Sequence, residues 1–180
     1  MTTPLAALAA AVTAAALLGP SPHPAAPQVP WALVHVQSTD VANQLRAYVA
    51  FCAQAAKPEY RADCLAERFT LAAETLGRYG ATAELYRALK RAARDLSAVS
   101  RTYASTTAAP LILSSAQFTT LRPIQPIARE NLARATTAAT EVLQEAELTL
   151  LRSATRAPEV SAFTQVAAII GTAKVLLRAG

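Results

Sequence analysis

Apolar residues recur at helical spacing along most of the chain after residue 40. The first series is separated by steps of four, three and four residues and consists of Val41, Leu45, Tyr48 and Cys52. Side chains at these intervals lie on one side of an α-helix. Residues 38–40 are Ser, Thr and Asp, which are favoured N-cap residues, and Pro58 ends the pattern. The spacing therefore predicts a first helix over residues 40–56.

The same spacing predicts four further helices, over residues 59–79, 82–103, 126–155 and 158–178. Gly77 and Gly80 mark the end of the second helix, because glycine is favoured just beyond a helix C-terminus. Pro126 and Pro158 suit the first turns of the fourth and fifth helices. The fifth predicted helix is apolar on nearly every face, which is typical of a central, buried helix.

Residues 104–125 do not follow the helical pattern. They contain clusters of Ser and Thr, Pro110 and Pro123, and the apolar run Leu111–Leu113. A loop of this length in a compact domain is usually functional or folds as an Ω-type excursion. Its apolar run predicts that it lies on the helices, away from free solvent.

Composition favours the same all-α class. The chain of 180 residues is 53% hydrophobic and only 6% aromatic, and much of its apolar content is alanine, the strongest helix former. With 5 glycines, tight hairpin turns and phosphate-cradling glycine loops are both disfavoured. We predict one helical domain over residues 38–180. Its fold is a bundle of four to five helices with a long irregular loop at about 104–125, behind a flexible N-terminal segment.

The N-terminal segment predicts export from the cell. Residues 1–18 carry no charged side chain, and the apolar run at 4–18 has the length of a signal-peptide core. A membrane span needs roughly 20 apolar residues, so this run is short for one. Residues 19–37 are predicted to be a proline-rich linker and lead-in, with residues 31–37 as a strand or extended segment. A periplasmic or secreted protein is therefore expected; an uncleaved anchor and an alanine-rich or disordered tail are the alternatives.

Two cysteines lie on either side of a predicted bend between helices. Cys52 and Cys64 are each six residues from Pro58, so an antiparallel helical hairpin brings them to a similar height. In an exported chain this arrangement predicts a disulfide. Buried free thiols are the alternative. A redox or metal role is disfavoured, because the chain has no CxxC motif and His23 and His35 are remote in sequence. No metal or cofactor site is predicted.

The third predicted helix carries the one patterned set of charges, at positions i, i+3, i+4, i+7 and one heptad further: Arg87, Lys90, Arg91, Arg94 and Arg101. The formal net charge of the chain is +5. Such a face suits the phosphates of lipid headgroups, of lipopolysaccharide or of nucleic acid. Nucleic acid is the least favoured of these, because no aromatic side chains interleave with the cations. The alternative is a solvated face, partly paired with Glu84 and Asp95.

The acidic residues of the fourth helix do not indicate catalysis. Glu141 and Glu145 share a helix face near Glu147, but no histidine joins them as a helical di-metal site requires. A solvated face is expected, with docking against the basic face of helix three as the alternative. The chain also lacks the G-x-S-x-G and H-E-x-x-H motifs, so no catalytic residue is predicted.

These features together predict an exported, non-enzymatic helical protein with a structural or interaction role at the cell envelope or outside it. The expected partner is another protein or the envelope surface. Two alternatives stay open. One is a binder of an apolar ligand between alanine-lined helices. The other is a binder of anionic headgroups or polymer through the basic face of helix three.

Deleting residues 1–30 is expected to leave the melting temperature nearly unchanged, because this uncharged, proline-containing segment is predicted to lie outside the folded core. Thermal melting of the full-length and truncated chains, followed by circular dichroism, tests this. A large drop in the melting temperature of the truncated chain would show that the segment packs on the bundle.

Overall fold

A computed structural model describes residues 31–77, 83–155 and 160–179. The predicted signal-peptide core and the linker up to residue 30 lie outside these residues. The described chain forms five α-helices, which are α1 (Trp31–Ala55), α2 (Arg61–Leu76), α3 (Ala83–Thr102), α4 (Leu132–Ala154) and α5 (Val160–Arg178). Single 3-10 turns at Pro58–Tyr60 and Arg129–Asn131 lead into α2 and α4. The predicted all-α bundle is confirmed.

Each helix packs against its neighbours in the chain, and α5 closes the bundle against α1. The helices of the pairs α1–α2, α2–α3 and α4–α5 pack against each other and are joined only by the short connections 56–60, 77–82 and 155–159. Helices that pack across such short connections run antiparallel. This is the up-and-down topology of a helical bundle.

The most buried helix is α2, and the prediction of a central fifth helix is wrong. All eight residues from Ala62 to Phe69 are buried. Helix α5 is long and apolar enough to cross a membrane by composition alone, but 44% of its apolar window is buried in the bundle, while Val160 and Val175 face outward. Hydropathy reports how apolar a helix is; it does not report which of its faces have neighbours.

Helix α1 begins at Trp31, so the predicted strand or extended lead-in over residues 31–37 is wrong. Residues 31–55 contain no proline or glycine, so nothing after Pro30 interrupts a helix before Ala55. Extending an existing helix requires far less ordering than nucleating one. The helix therefore continues past the capping residues 38–40 toward its N-terminus.

Helix α4 begins at Leu132 and not near Pro126. Two backbone hydrogen bonds hold the intervening residues extended: Ile127 N–H donates to the Glu59 carbonyl, and Ala128 N–H donates to the Tyr103 carbonyl, each at 2.9 Å. Proline suits a helix start, but these tertiary bonds occupy the residues after it. The irregular segment is therefore residues 103–128, named the α3–α4 loop below.

The α3–α4 loop folds back on itself and lies on the bundle as predicted, although Leu113 is the one buried residue of its apolar run. Its two arms are joined by antiparallel bridges at Ala104–Ile127, Leu111–Ile124 and Ser114–Thr119. Leu113, Ile124 and Ile127 point inward and are buried. The loop thus adds its own side chains to the core and covers the outer side of α2.

Cys52 and Cys64 form a disulfide that fastens α1 to α2, as predicted. Their Cα atoms are 5.9 Å apart, within the usual range for a bonded pair. Both residues are fully buried. The bond therefore ties the entry of α2 to the core at the bend around Pro58.

Removing this bond in the variant Cys52→Ala/Cys64→Ala is expected to lower the free energy of unfolding by about 3 kcal/mol, since the cross-link restricts the unfolded chain. For a domain of this size the melting temperature should fall by roughly 6–12 °C. Melting of the wild type after reduction separates loss of the covalent bond from loss of the sulfur atoms. An unchanged melting temperature, or recovery of both cysteines as free thiols from oxidising growth, would contradict the assignment.

Candidate anion-binding cleft

The buried carboxylate of Asp63 on α2 holds the α3–α4 loop. One carboxylate oxygen accepts a hydrogen bond from Arg122 Nη1 at 2.6 Å and another from the backbone N–H of Gln125 at 2.8 Å. The other accepts from Arg122 Nη2 at 2.8 Å and lies 3.5 Å from Ser97 Oγ on α3. The side chain of Asp63 is only 3% exposed, whereas that of Arg122 is 42% exposed. This bidentate pair therefore satisfies a buried charge and fixes the loop in one register.

Arg122 stays charged in this setting. Its hydrogen bonds to Asp63 raise the pKa of the guanidinium above its ordinary value, burial works in the opposite direction, and the charges of Asp63 and Glu67 add to the increase. A base whose pKa is raised on folding loses its stabilising contribution only as pH rises through that pKa. The contribution of the Arg122 charge is therefore present over the whole neutral range.

A second pair of buried charges lies one turn further along α2. Glu67 Oε1 accepts the backbone N–H of Leu121 at 2.7 Å, and Arg68 Nη2 donates to the Thr119 carbonyl at 2.8 Å. Glu67 Oε2 and Arg68 Nε are 2.8 Å apart, but their geometry is not that of a hydrogen bond, so this contact is an ion pair only. Both side chains are almost completely buried and so neutralise each other beneath the loop.

Aromatic contacts seat the tip of the loop on α1. The ring of Phe118 packs edge-on against Tyr48 at 5.4 Å and against Phe51 at 5.8 Å between centroids. The Arg68 guanidinium lies over the same two rings, at 5.1 and 4.7 Å. Aromatic pairs and cation–π contacts of this kind add to the area they bury. The loop is therefore anchored at its tip as well as at Arg122.

Between α2, α3 and the anchored loop lies a cleft of about 600 Å³. The cations that line it are Lys90, Arg94, Arg101 and Arg122. Those of α3 recur with Ser97 at steps of four, three and four residues, which places them on one helix face. An adjoining opening of about 580 Å³ shares Ser97, Arg101 and Arg122 with the first. We refer to the two openings together as the cationic cleft.

The cations of this cleft differ in their availability. Lys90 is 3.2 Å from Glu74, and Arg94 is 3.2 Å from Asp95. Arg122 donates two hydrogen bonds to Asp63. The exposed side chain of Arg101 has no ion pair or hydrogen bond within the described parts of the chain. Arg101 therefore presents a full set of guanidinium donors to the cleft.

Part of the cleft lining is apolar. Ala66 and Leu71 come from α2, Ala93 comes from α3, and the exposed Leu121 comes from the loop. Small side chains on the two facing helices leave the space that the cations surround. The cleft is consequently amphipathic, with charged and aliphatic side chains in its lining.

The five predicted residues of the basic face do not share one environment. Lys90, Arg94 and Arg101 line the cationic cleft, whereas Arg91 lines a crevice of about 310 Å³ between α3 and α4. Arg87 is exposed and belongs to neither. Helix α3 has α2 on one side and α4 on the other, so a broad stripe of charge is divided between two grooves.

The acidic residues of α4 do not pair with this basic face in the residues described. Glu147 pairs with Lys174 of α5, and Glu145 lies 3.9 Å from Arg152 of its own helix. Glu141 is exposed, in agreement with the expected solvated face. Glu145 shares the crevice between α3 and α4 with Arg91 but forms no ion pair with it, so docking of these acids on the basic face of another molecule stays a prediction.

A second groove, of about 550 Å³, lies between α1 and α5. Its lining is mostly aliphatic and includes Val49, Ala53, Ile169 and Val175, with Arg46 and Gln165 among its few polar side chains. The groove is comparable in size to the cleft but lacks its concentration of charge. It corresponds to the space between helices that the apolar-ligand alternative requires.

The sequence pattern did not single out Asp63, Glu67, Arg68 or Arg122. The two acids are four residues apart on the predicted second helix, and that spacing alone indicates a solvated face. The available signal was the position of all three α2 charges beside the apolar stripe of Leu65 and Phe69. Nothing in the local sequence connects them to a loop more than fifty residues away.

No group of three or more His, Cys, Asp or Glu side chains in the described ranges is placed to hold a metal ion. Three acids line the cleft, and each has a partner: Asp63 and Glu67 accept from arginine or backbone donors of the loop, and Glu74 pairs with Lys90. Comparison of the chain with protein-family models, with curated proteins and with solved structures finds no match.

Replacing Asp63 with Asn is expected to lower the free energy of unfolding by about 3 kcal/mol, the lower end for breaking a buried pair, because Arg122 can still reach solvent. The amide of Gln125 loses its charged acceptor in the same variant. Hydrogen–deuterium exchange should therefore accelerate in residues 119–125 before it does in α4. Unaltered exchange of this segment would show that the carboxylate does not hold the loop.

The matched control is Glu74→Gln. Glu74 lies on α2 like Asp63, but it is exposed and pairs with Lys90 of α3. A solvent-exposed pair contributes less than about 1 kcal/mol, so this variant should unfold like the wild type. Its loop should also exchange at the wild-type rate. The contrast isolates burial, and not charge alone, as the reason that Asp63 matters.

Proposed function

We propose that this is an exported, non-enzymatic binding protein that recognises an anionic partner through the cationic cleft. The observation that carries the proposal is Arg101, an exposed guanidinium without a partner in the described chain, in a cleft lined by three further cations. Arginine presents its donors in a planar fork that matches the oxygens of phosphate and carboxylate. The expected ligand therefore carries phosphate or carboxylate groups.

The partners of the acidic residues support a binding role over catalysis. General acid–base chemistry requires a carboxylate within reach of substrate. Asp63 and Glu67 instead accept hydrogen bonds from the loop beneath the cleft surface. Their arrangement holds the loop, and the exposed carboxylate of the lining, Glu74, pairs with Lys90 at 3.2 Å.

The disulfide supports the proposed export. Such bonds persist mainly in oxidising compartments, including the periplasm and the exterior of the cell. The bond between Cys52 and Cys64 is buried in the core, which suits a structural and not a transient role. Together with the uncharged apolar run at residues 4–18, it favours a periplasmic or secreted protein.

A second candidate function is the binding of an apolar ligand in the groove between α1 and α5. Its aliphatic lining and its volume of about 550 Å³ favour a small hydrophobic molecule. Native mass spectrometry of protein purified without detergent tests this candidate. A co-purifying mass that is lost when Ala53 is replaced by Trp would support it, and a uniformly unliganded protein would count against it.

The proposed anion binding is tested with inorganic pyrophosphate in isothermal titration calorimetry. Arg101→Gln should weaken binding about tenfold, because a charge-assisted hydrogen bond contributes roughly 1.5 kcal/mol. Affinity of the wild type should also fall between low salt and about 0.15 M salt, since exposed charges are screened.

Arg87→Gln is the matched control, because Arg87 lies on the same helix, is exposed and does not line the cleft. It removes the same charge and should bind pyrophosphate like the wild type. Equal loss of affinity in both variants would mean that net charge, and not the cleft, attracts the anion. Unchanged affinity in Arg101→Gln would contradict the proposal.

A further inference from the structure

Large aliphatic side chains are concentrated on the outer face of the α3–α4 loop. Leu111, Ile112 and Leu121 are 45%, 51% and 76% exposed. The other exposed large aliphatics of the described chain are spread over α4 and α5, and include Val160 and Val175. Exposed apolar side chains that are grouped on one ordered segment are typical of a contact surface, whereas scattered ones are not. The grouping on this loop therefore indicates a contact surface.

These side chains are held outward by the loop and are not exposed through lack of structure. Leu111 exchanges two backbone hydrogen bonds with Ile124, at 3.1 and 2.8 Å. Ile124 and Leu113 fill the inward positions of the same two arms. Glu67 fixes the backbone of Leu121 by accepting its N–H at 2.7 Å. The aliphatic face is therefore presented in a fixed conformation.

The aliphatic face adjoins the cationic cleft. Leu121 lines the first opening together with Arg94 and Arg101. Pro110, which directly precedes Leu111, lines the second opening with Arg101 and Arg122. Aliphatic and guanidinium groups thus come together on one side of the bundle, formed by the loop and the end of α3.

We propose that the aliphatic face of the loop and the cationic cleft together form a docking surface for a bilayer that contains anionic phospholipid. Leu111, Ile112 and Leu121 enter the boundary between headgroups and acyl chains. Arg101 contacts lipid phosphate, with the other cleft cations adding attraction. This inference rests on the proposed anion binding and names its partner.

Charge complementarity combined with exposed aliphatic side chains favours a bilayer over a soluble anion. A free phosphate or a nucleic acid would use the cations and leave Ile112 and Leu121 in water. An anionic membrane surface offers phosphate oxygens directly above an apolar layer. The phosphate layer would meet the cations of the cleft, and the apolar layer would meet the protruding aliphatic side chains.

The test uses flotation of the full chain with vesicles of phosphatidylglycerol and phosphatidylcholine, compared with phosphatidylcholine alone. The wild type should bind the anionic vesicles and bind the neutral ones at least about tenfold more weakly. The variant Leu111→Ser/Ile112→Ser changes two exposed residues that do not line the cleft. It should lose roughly tenfold or more of its vesicle binding while keeping its affinity for pyrophosphate. Arg101→Gln should weaken both.

Val175→Ser is the matched control, because Val175 is also exposed and aliphatic but lies on α5. It should bind vesicles like the wild type. Circular dichroism melting of every variant confirms that the bundle is intact, which is expected since the substituted side chains are exposed.

The outcomes separate the two proposals. Wild-type binding to pyrophosphate without binding to anionic vesicles would overturn the membrane inference and leave the anion-binding proposal standing. Full vesicle binding by Leu111→Ser/Ile112→Ser would also overturn it, because the aliphatic face would then be unused. If the wild type bound neither pyrophosphate nor anionic vesicles, both the anion-binding proposal and the membrane inference would be overturned.

Discussion

The bidentate contact between Asp63 and Arg122 is the interaction on which the cleft depends. Burying a carboxylate without partners costs several kcal/mol, so α2 tolerates Asp63 only if donors are supplied from outside the helix. Arg122 and the Gln125 amide of the loop supply them. The loop can therefore occupy only a position in which these donors meet the carboxylate. A rigid loop against α2 and α3 gives the groove between these two helices a third wall.

The same anchoring explains the distribution of charge. Three ionisable residues of α2, Asp63, Glu67 and Arg68, are directed under the loop and satisfied there. The cations of α3 remain at the rim, where Arg101 has no counterpart within the described residues. In the proposed function, these cations attract the anionic partner. They lie on the loop-covered side of the bundle, beside the aliphatic residues of the loop.

Several features follow from local sequence because they depend on spacing and residue type alone. The helical class, the approximate helix boundaries and the cysteine pair around Pro58 are of this kind, since helix periodicity and a short hairpin define their geometry. The predicted helix boundaries are wrong where tertiary contacts hold the chain in another conformation. The predicted start of α4 at Pro126 is displaced because hydrogen bonds to Glu59 and Tyr103 keep the chain extended. The basic stripe was identified as a set, but its division between two grooves depends on which helices flank α3.

The sequence by itself determined an α-helical bundle, its disulfide and a surplus of cations on α3, because periodicity, cysteine spacing and charge are properties of the chain. Only the tertiary structure decided that α2 is the most buried helix and that Asp63 and Glu67 are buried. Their partners are donors of the loop, including Arg122, more than fifty residues away. Burial of a charge is decided by what covers it, and that information is held in the packing of distant segments, not in the pattern around the charged residue.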